Sequence, residues 1–264
     1  MSANASRCAP VQTCGKRTQN PMRCWAACLG DCNDVGSQEH IISECLYPDR
    51  SVKVQGFPWC RDEPKDVRIE RLTQQILCKK HNEQLGAEVD WASKHSRDTL
   101  GAAFNLLTVR KKVRSRHWSV KRFETNMLLL ERWCVKTLIN TNHQGGLKYI
   151  DDSEPDSPPS ELVEFVFGRR RFTDYKGLYM VVEEGKQISM YDDWVQITAK
   201  SQNDRLVGAK FILWGVPFYL SLLSTQVTWN SATLMRHGMK HWFQTRDDKG
   251  RNVKSHLVTF TYPK

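Results

Sequence analysis

Ile76-Leu77-Cys78-Lys79-Lys80-His81-Asn82-Glu83-Gln84-Leu85-Gly86 is the stretch on which the reading of the N-terminal third turns. It pairs a thiol with an imidazole, and its upstream counterpart is Cys24-Trp25-Ala26-Ala27-Cys28-Leu29-Gly30-Asp31-Cys32. Two close ligand pairs separated by a few tens of residues suit a tetrahedral zinc ion. Each pair forms a knuckle, and the metal clamps a unit too small to bury enough apolar surface alone. The spacing favours Cys28 and Cys32 with Cys78 and His81 as the structural zinc ligands. Cys24 stays open as a replacement because Cys24 and Cys28 repeat the gap between Cys28 and Cys32. Cys60, in Phe57-Pro58-Trp59-Cys60, is a further ligand to weigh. The competing reading makes these cysteines small buried hydrophobes.

The setting agrees with metal rather than disulfides. The chain has 264 residues and nine cysteines, an odd number, and Met1 to Gln19 is polar with no apolar core of a secretory signal. A reducing, cytoplasmic location is expected, where clustered cysteines hold metal more often than they cross-link. The longest apolar run, Phe211 to Leu223, contains Pro217 and is too short to span a bilayer, so no membrane partner is expected.

Charge is distributed unevenly around a net of +10. Residues 91–122 hold nine bases and one acid, including Arg110-Lys111-Lys112-Val113-Arg114-Ser115-Arg116-His117-Trp118. A dense basic run with an aromatic in it can track a phosphate backbone, so Arg110, Lys111, Lys112, Arg114 and Arg116 are the candidate DNA contacts. A solvated helix face is the alternative. Residues 151–168 carry six acids and Pro155, Pro158 and Pro159, and read as a linker.

Hydrophobic spacing supplies a coarse map. Cys78 to Leu85 reads as a helix stopped by Gly86, and Phe123 to Leu138 as a longer one with Trp133 and Cys134 in its core. Leu178 to Val182 and Gln187 to Tyr191 form one expected strand pair, Gly208 to Leu213 and Phe218 to Leu223 another, and His256 to Tyr262 a terminal strand. The expected class is α+β. A flexible basic tail (1–22) leads into a zinc module (23–90) and a basic helical connector (91–150). The acidic linker (151–168) and a β-rich C-terminal domain (169–264) complete the chain.

Between the ligand pairs lies Ser37-Gln38-Glu39-His40-Ile41-Ile42-Ser43-Glu44, and Asn82 directly follows the second pair. An acid-His dipeptide on a β-hairpin, then a metal-ligand pair and Asn on a helix, resembles the HNH endonucleases, also called His-Me finger or ββα-metal nucleases. The zinc-clamped arrangement is similar to the recombination endonuclease VII type, and Val52 to Leu85 also looks like uncharacterised bacterial HNH proteins. The likeness covers roughly residues 24–90 and implies a treble-clef-like ββα-metal module.

The resemblance implies that His40 is the general base activating water. Glu39 and Asn82 would hold one catalytic Mg²⁺ or Mn²⁺ through oxygen ligands, and zinc would only fix hairpin against helix. The sequence departs from the family in having Glu39 where Asp is commonest and His81 where the fourth thiol usually stands. The middle asparagine has no clear counterpart among Thr73, Gln74 and Gln75, and the long interval from His40 to Cys78 requires an insertion to loop out. Asp90 reads as a surface acid, with reach to the site after the turn at Gly86 as the alternative, and Arg169-Arg170-Arg171 as a phosphate contact or a solvated edge. The expected activity is hydrolysis of DNA, with RNA as the other candidate. A non-catalytic zinc-stabilised nucleic-acid-binding module and a protein-interaction adaptor are the competing functions. The C-terminal domain would select targets, sense a ligand or form a homodimer.

Overall fold

A computed structural model of the chain describes residues 24–33, 35–43, 51–108, 122–143, 146–173, 175–182, 195–213, 216–225, 233–235, 240–246 and 252–261. The fold is mixed α+β, with helices α1 (Lys79–Leu85), α2 (Trp91–Thr108), α3 (Met127–His143) and α4 (Ser160–Val166). Its strands are β1 (Gly36–His40), β2 (Ser51–Gln55), β3 (Lys65–Arg68), β4 (Thr73–Cys78), β5 (Arg122–Asn126), β6 (Lys148–Tyr149) and β7 (Gly177–Val182). They continue as β8 (Val195–Gln202), β9 (Arg205–Leu213), β10 (Val216–Ser221), β11 (Thr233–Met235), β12 (Lys240–Arg246) and β13 (Asn252–Thr261). No helix among the described residues is long and apolar enough to cross a membrane.

The largest sheet runs β11-β7-β10-β9-β8-β2-β3, with β6 beside β9. The strand pair expected around Trp214-Gly215 is β9 and β10, antiparallel with Phe218 opposite Phe211. In β8, Val195, Ile197 and Ala199 alternate with half-exposed neighbours, as a strand with one face on the core requires. The partner expected for Leu178 to Val182, Gln187 to Tyr191, lies outside the described residues; β7 pairs instead with β10 and β11.

The insertion after His40 is not looped out. β2 joins the large sheet, parallel to β8 through Val54 and Ile197, and β3 extends that sheet's edge. The chain turns out of β2 at Gly56, where φ is +87° and a Cβ would lie 2.5 Å from the Ala199 carbonyl oxygen. Only glycine combines that backbone conformation with so close an approach. One sheet therefore crosses the division expected between the zinc module and the C-terminal domain.

The acidic 151–168 stretch also folds in. Leu162, Val163, Phe165 and Val166 of α4 are buried, and Phe167 lies edge-on to Trp25 and His81 with ring centroids 5.9 and 5.0 Å away. Gly86 stops nothing: it is right-handed helical, and Gly86–Asp90 forms one π-helical turn that carries α1 into α2. The helix expected from Phe123 begins at Met127, because Arg122–Asn126 is β5, paired in parallel with β13.

α3 is the centre of the molecule. Every residue from Leu130 to Asn142 is buried, and Trp133 packs against Phe211 of the large sheet at 6.3 Å. A helix enclosed on all sides must pair any charge it carries. Glu131 accepts the Leu178 backbone N–H at 2.6 Å. Arg132 donates to the Val166 carbonyl at 2.7 Å and to Glu88 at 2.9 Å. Lys136 meets Glu39 and Asp90.

Candidate metal centre

The two-stranded sheet of β1 and β4 leads straight into α1, and Cys78 is at once the last residue of β4 and the cap of the helix. The i, i+3 spacing brings His81 round to the same end of α1, where its Nδ1 lies 3.2 Å from the Cys78 Sγ. The other two ligands come from the segment before β1. Ala27–Leu29 forms a single turn of 3-10 helix, closed by Gly30 in the left-handed region at φ +78°. That turn reverses the chain so that its two ends meet. Cys24 and Cys32 stand 3.4 and 3.7 Å from the His81 Nδ1.

The resulting group is Cys24, Cys32, Cys78 and His81, whose ligand atoms all lie within 4.8 Å of one another. A tetrahedral zinc with bonds of about 2.0–2.3 Å would hold sulfur and nitrogen roughly 3.6 Å apart, so the donor set fits the ion. The spacing-based choice of Cys28 is corrected. Cys28 sits in the middle of the 3-10 turn and packs half-buried on the core, outside the group. Cys60 is buried in the short helix Pro58–Cys60 and does not join it either.

Asp31 completes the centre from outside. Its Oδ1 lies 2.9 Å from the His81 Nε2, and its Oδ2 accepts from Lys80 Nζ at 2.7 Å and from Arg169 at 3.4 Å. The hydrogen bonds from Lys80 and His81 hold the Asp31 carboxyl down to about 2. An Nε2–H aimed at that carboxylate leaves Nδ1 as the lone pair facing the thiols, the tautomer a metal ligand needs. Burial pushes the Cys24 and Cys32 thiols up, and neighbouring thiols push them further. A dication held by Cys24, Cys32, Cys78 and His81 would reverse that preference by stabilising the thiolates.

Asn82 follows the ligand His81, whereas His40 lies at the other end of the β1–β4 ribbon from Cys78, which pairs with Gly36. Asn82, in the first turn of α1, donates its Nδ2 to the Ser37 Oγ at 2.7 Å and to the Gln38 carbonyl at 3.2 Å, which stitches the helix to β1. It bridges rather than caps. No described residue donates a hydrogen bond to its Oδ1. His40 ends β1 opposite Thr73, half-buried. The pairing with β4 shifts register between Ser37 and Glu39; Ser37 reaches α1 through Asn82 and Glu39 reaches α3 through Lys136. Gln74 lies opposite Glu39, and its Oε1 is buried without a hydrogen-bond partner.

Glu39 does not present a free carboxylate. It is 3% exposed, its Oε1 lies 2.7 Å from the Lys136 Nζ, and Asn140 Nδ2 donates to the same oxygen at 3.1 Å. Desolvation pushes its carboxyl up, against the pull of Lys136. A hard divalent cation at Glu39 does not fit this arrangement, because an ammonium already occupies the carboxylate. Asp90, read as a surface acid, is turned inward to Lys136 at 2.8 Å.

Chemistry-bearing residues not singled out from the sequence are Asp31, Lys136 and Asn140. Asp31 was signalled only by being an acid next to Cys32. Lys136 was signalled by being a charge inside an apolar helix repeat. Arg110, Lys111, Lys112, Arg114 and Arg116 lie outside the described residues. Arg169 is engaged by Asp31, and Arg170 lies 3.9 Å from both Glu161 and Glu164. The chain matches no protein-family model, no curated protein and no solved structure.

Proposed function

We propose that this chain is a zinc-stabilised endonuclease of the HNH type that hydrolyses phosphodiester bonds in DNA, with His40 as general base. The observation that carries the reading is the order of parts around the Cys24/Cys32/Cys78/His81 group. A metal knuckle and a strand ending in His40 are followed, after β2 and β3 have joined the large sheet, by the paired strand β4 and a helix with Asn82 in its first turn, and Asn82 is bonded to the strand that bears His40. Half-buried at the strand end, His40 is reachable by water and can take its proton at a ring nitrogen. Zinc has no part in the chemistry and holds β4 and α1 to the knuckle. The Asn82 Oδ1 is the oxygen left for a hard cation, with no second ligand from Glu39. The basic 91–122 segment supplies attraction to the phosphate backbone.

One observation favours a second reading. The engagement of Glu39 by Lys136 suits a nucleic-acid-binding module with no catalysis. Cleavage of supercoiled plasmid by wild type and His40→Ala, with Mg²⁺ or Mn²⁺ and with EDTA, separates the two. Nicking that falls by about 10²–10⁴-fold in the variant, with zinc content unchanged, is expected. Equal nicking by both refutes the role of His40. No nicking with any cation, together with binding that weakens steeply with salt, establishes the binding module instead.

A further inference from the structure

Lys136 is a lysine in the middle of a fully enclosed helix, 1% exposed. Its Nζ lies 2.7 Å from one Glu39 oxygen and 2.8 and 2.9 Å from the two Asp90 oxygens. One turn along α3, Asn140 donates to the same Glu39 oxygen and accepts from the Trp25 indole N–H at 3.1 Å. On the other side, Asp90 accepts from the Ser43 hydroxyl, which accepts from the Trp133 indole N–H at 3.0 Å. The links form one continuous path, Trp25–Asn140–Glu39–Lys136–Asp90–Ser43–Trp133. It starts beside the metal ligand Cys24 and reaches both sides of His40.

The arrangement around Nζ is that of a small cation site, three carboxylate oxygens about one positive centre. The cation is the protein's own. Two carboxylates against one ammonium leave the buried group at net −1, a poor source of stability by itself. What it supplies is fixation. Within the described residues β1 pairs only with β4, and a two-stranded ribbon is marginal alone. From Glu39 to Ser43, every residue is buried except His40. Glu39 before it is tied to Lys136 directly, and Ser43 after it is tied to Lys136 through Asp90.

We infer that Lys136 is a positioning residue for His40, a built-in cation that stands where a divalent metal would sit between Glu39 and Asp90 and clamps the chain on both sides of the histidine. The inference rests on the reading of His40 as the base, and its primary test does not depend on activity. Glu39→Gln with Lys136→Met removes the clamp while leaving only Asp90 charged in the cluster. Asp90→Asn, which keeps an ammonium paired with one carboxylate, is the milder second variant.

The His40 ring ¹³C and ¹⁵N resonances of zinc-loaded full chain would be followed across about pH 5 to 8. Shifted or exchange-broadened ring signals are expected in both variants, more in the double one, with zinc content and helical circular dichroism held. If wild type cleaves DNA, turnover falls about 10–100-fold with KM within about twofold. His40 signals at wild-type positions and widths in either folded variant would overturn the inference. A wild type that does not cleave would refute the nuclease reading and leave the resonance test standing.

Discussion

Cys24→Ser and Cys28→Ser separate geometry from spacing. Structural zinc binds with about 10–16 kcal/mol of apparent free energy at neutral pH. If the four ligands share it evenly, removing the Cys24 thiolate forfeits about 2.5–4 kcal/mol, or roughly 10²–10³-fold in zinc affinity. A buried serine hydroxyl in the place of that sulfur adds to the loss. Cys28 stands outside the ligand group, half-buried against the core, so its replacement should cost less than about 1 kcal/mol and leave zinc affinity within about threefold of wild type. Competition with a chromophoric zinc chelator measures both affinities on one scale, and thermal unfolding with and without chelator checks them. A Cys28→Ser protein that loses zinc as completely as Cys24→Ser would refute the turn geometry at Gly30 on which the ligand set depends.

Asp31→Asn keeps the size of the group facing His81 but removes its charge, and should lower zinc affinity about 10–100-fold by the same competition assay, with His81 still a ligand. Zinc affinity should fall as pH falls. The thiols of Cys24 and Cys32 are pushed up by burial, so protons must leave on binding; with three thiols in the group the logarithm of affinity should change by up to about three per pH unit, measured between about pH 6 and 8. Gly56→Ala would force a Cβ against the Ala199 carbonyl at positive φ and should destabilise the fold by about 1–3 kcal/mol in denaturant unfolding; an unchanged midpoint would deny the pairing of β2 with β8.

Cys78, His81 and the helix after them were legible because they are local: a three-residue gap on a helix places two side chains together whatever surrounds it. β9 and β10 were legible for a similar reason, as two apolar runs joined by a short turn. Cys24 against Cys28 was not, since both gaps are equal and the choice rests on the left-handed residue Gly30. The helix in the acidic stretch was hidden by prolines and carboxylates, although Leu162, Val163, Phe165 and Val166 stand at helical spacing. Gly86 misled because glycine in a helix costs only about 1 kcal/mol, less than the burial of Leu85 and Val89 on either side of it returns.

The sequence by itself determined the chemistry on offer: nine cysteines, a ligand pair followed by Asn82, a Glu-His dipeptide and a net charge of +10. Those are properties of residue type and short-range spacing. Only the tertiary structure decided which oxygens and sulfurs face one another. It carried β2 and β3 into the large sheet, brought Cys24 round to Cys32, and set Lys136 and Asn140, 97 and 101 residues beyond Glu39, against that carboxylate. A buried charge takes whichever partner packing brings within reach, because leaving it unpaired in a low-dielectric interior is costly, and no local pattern announces a partner supplied by a distant helix.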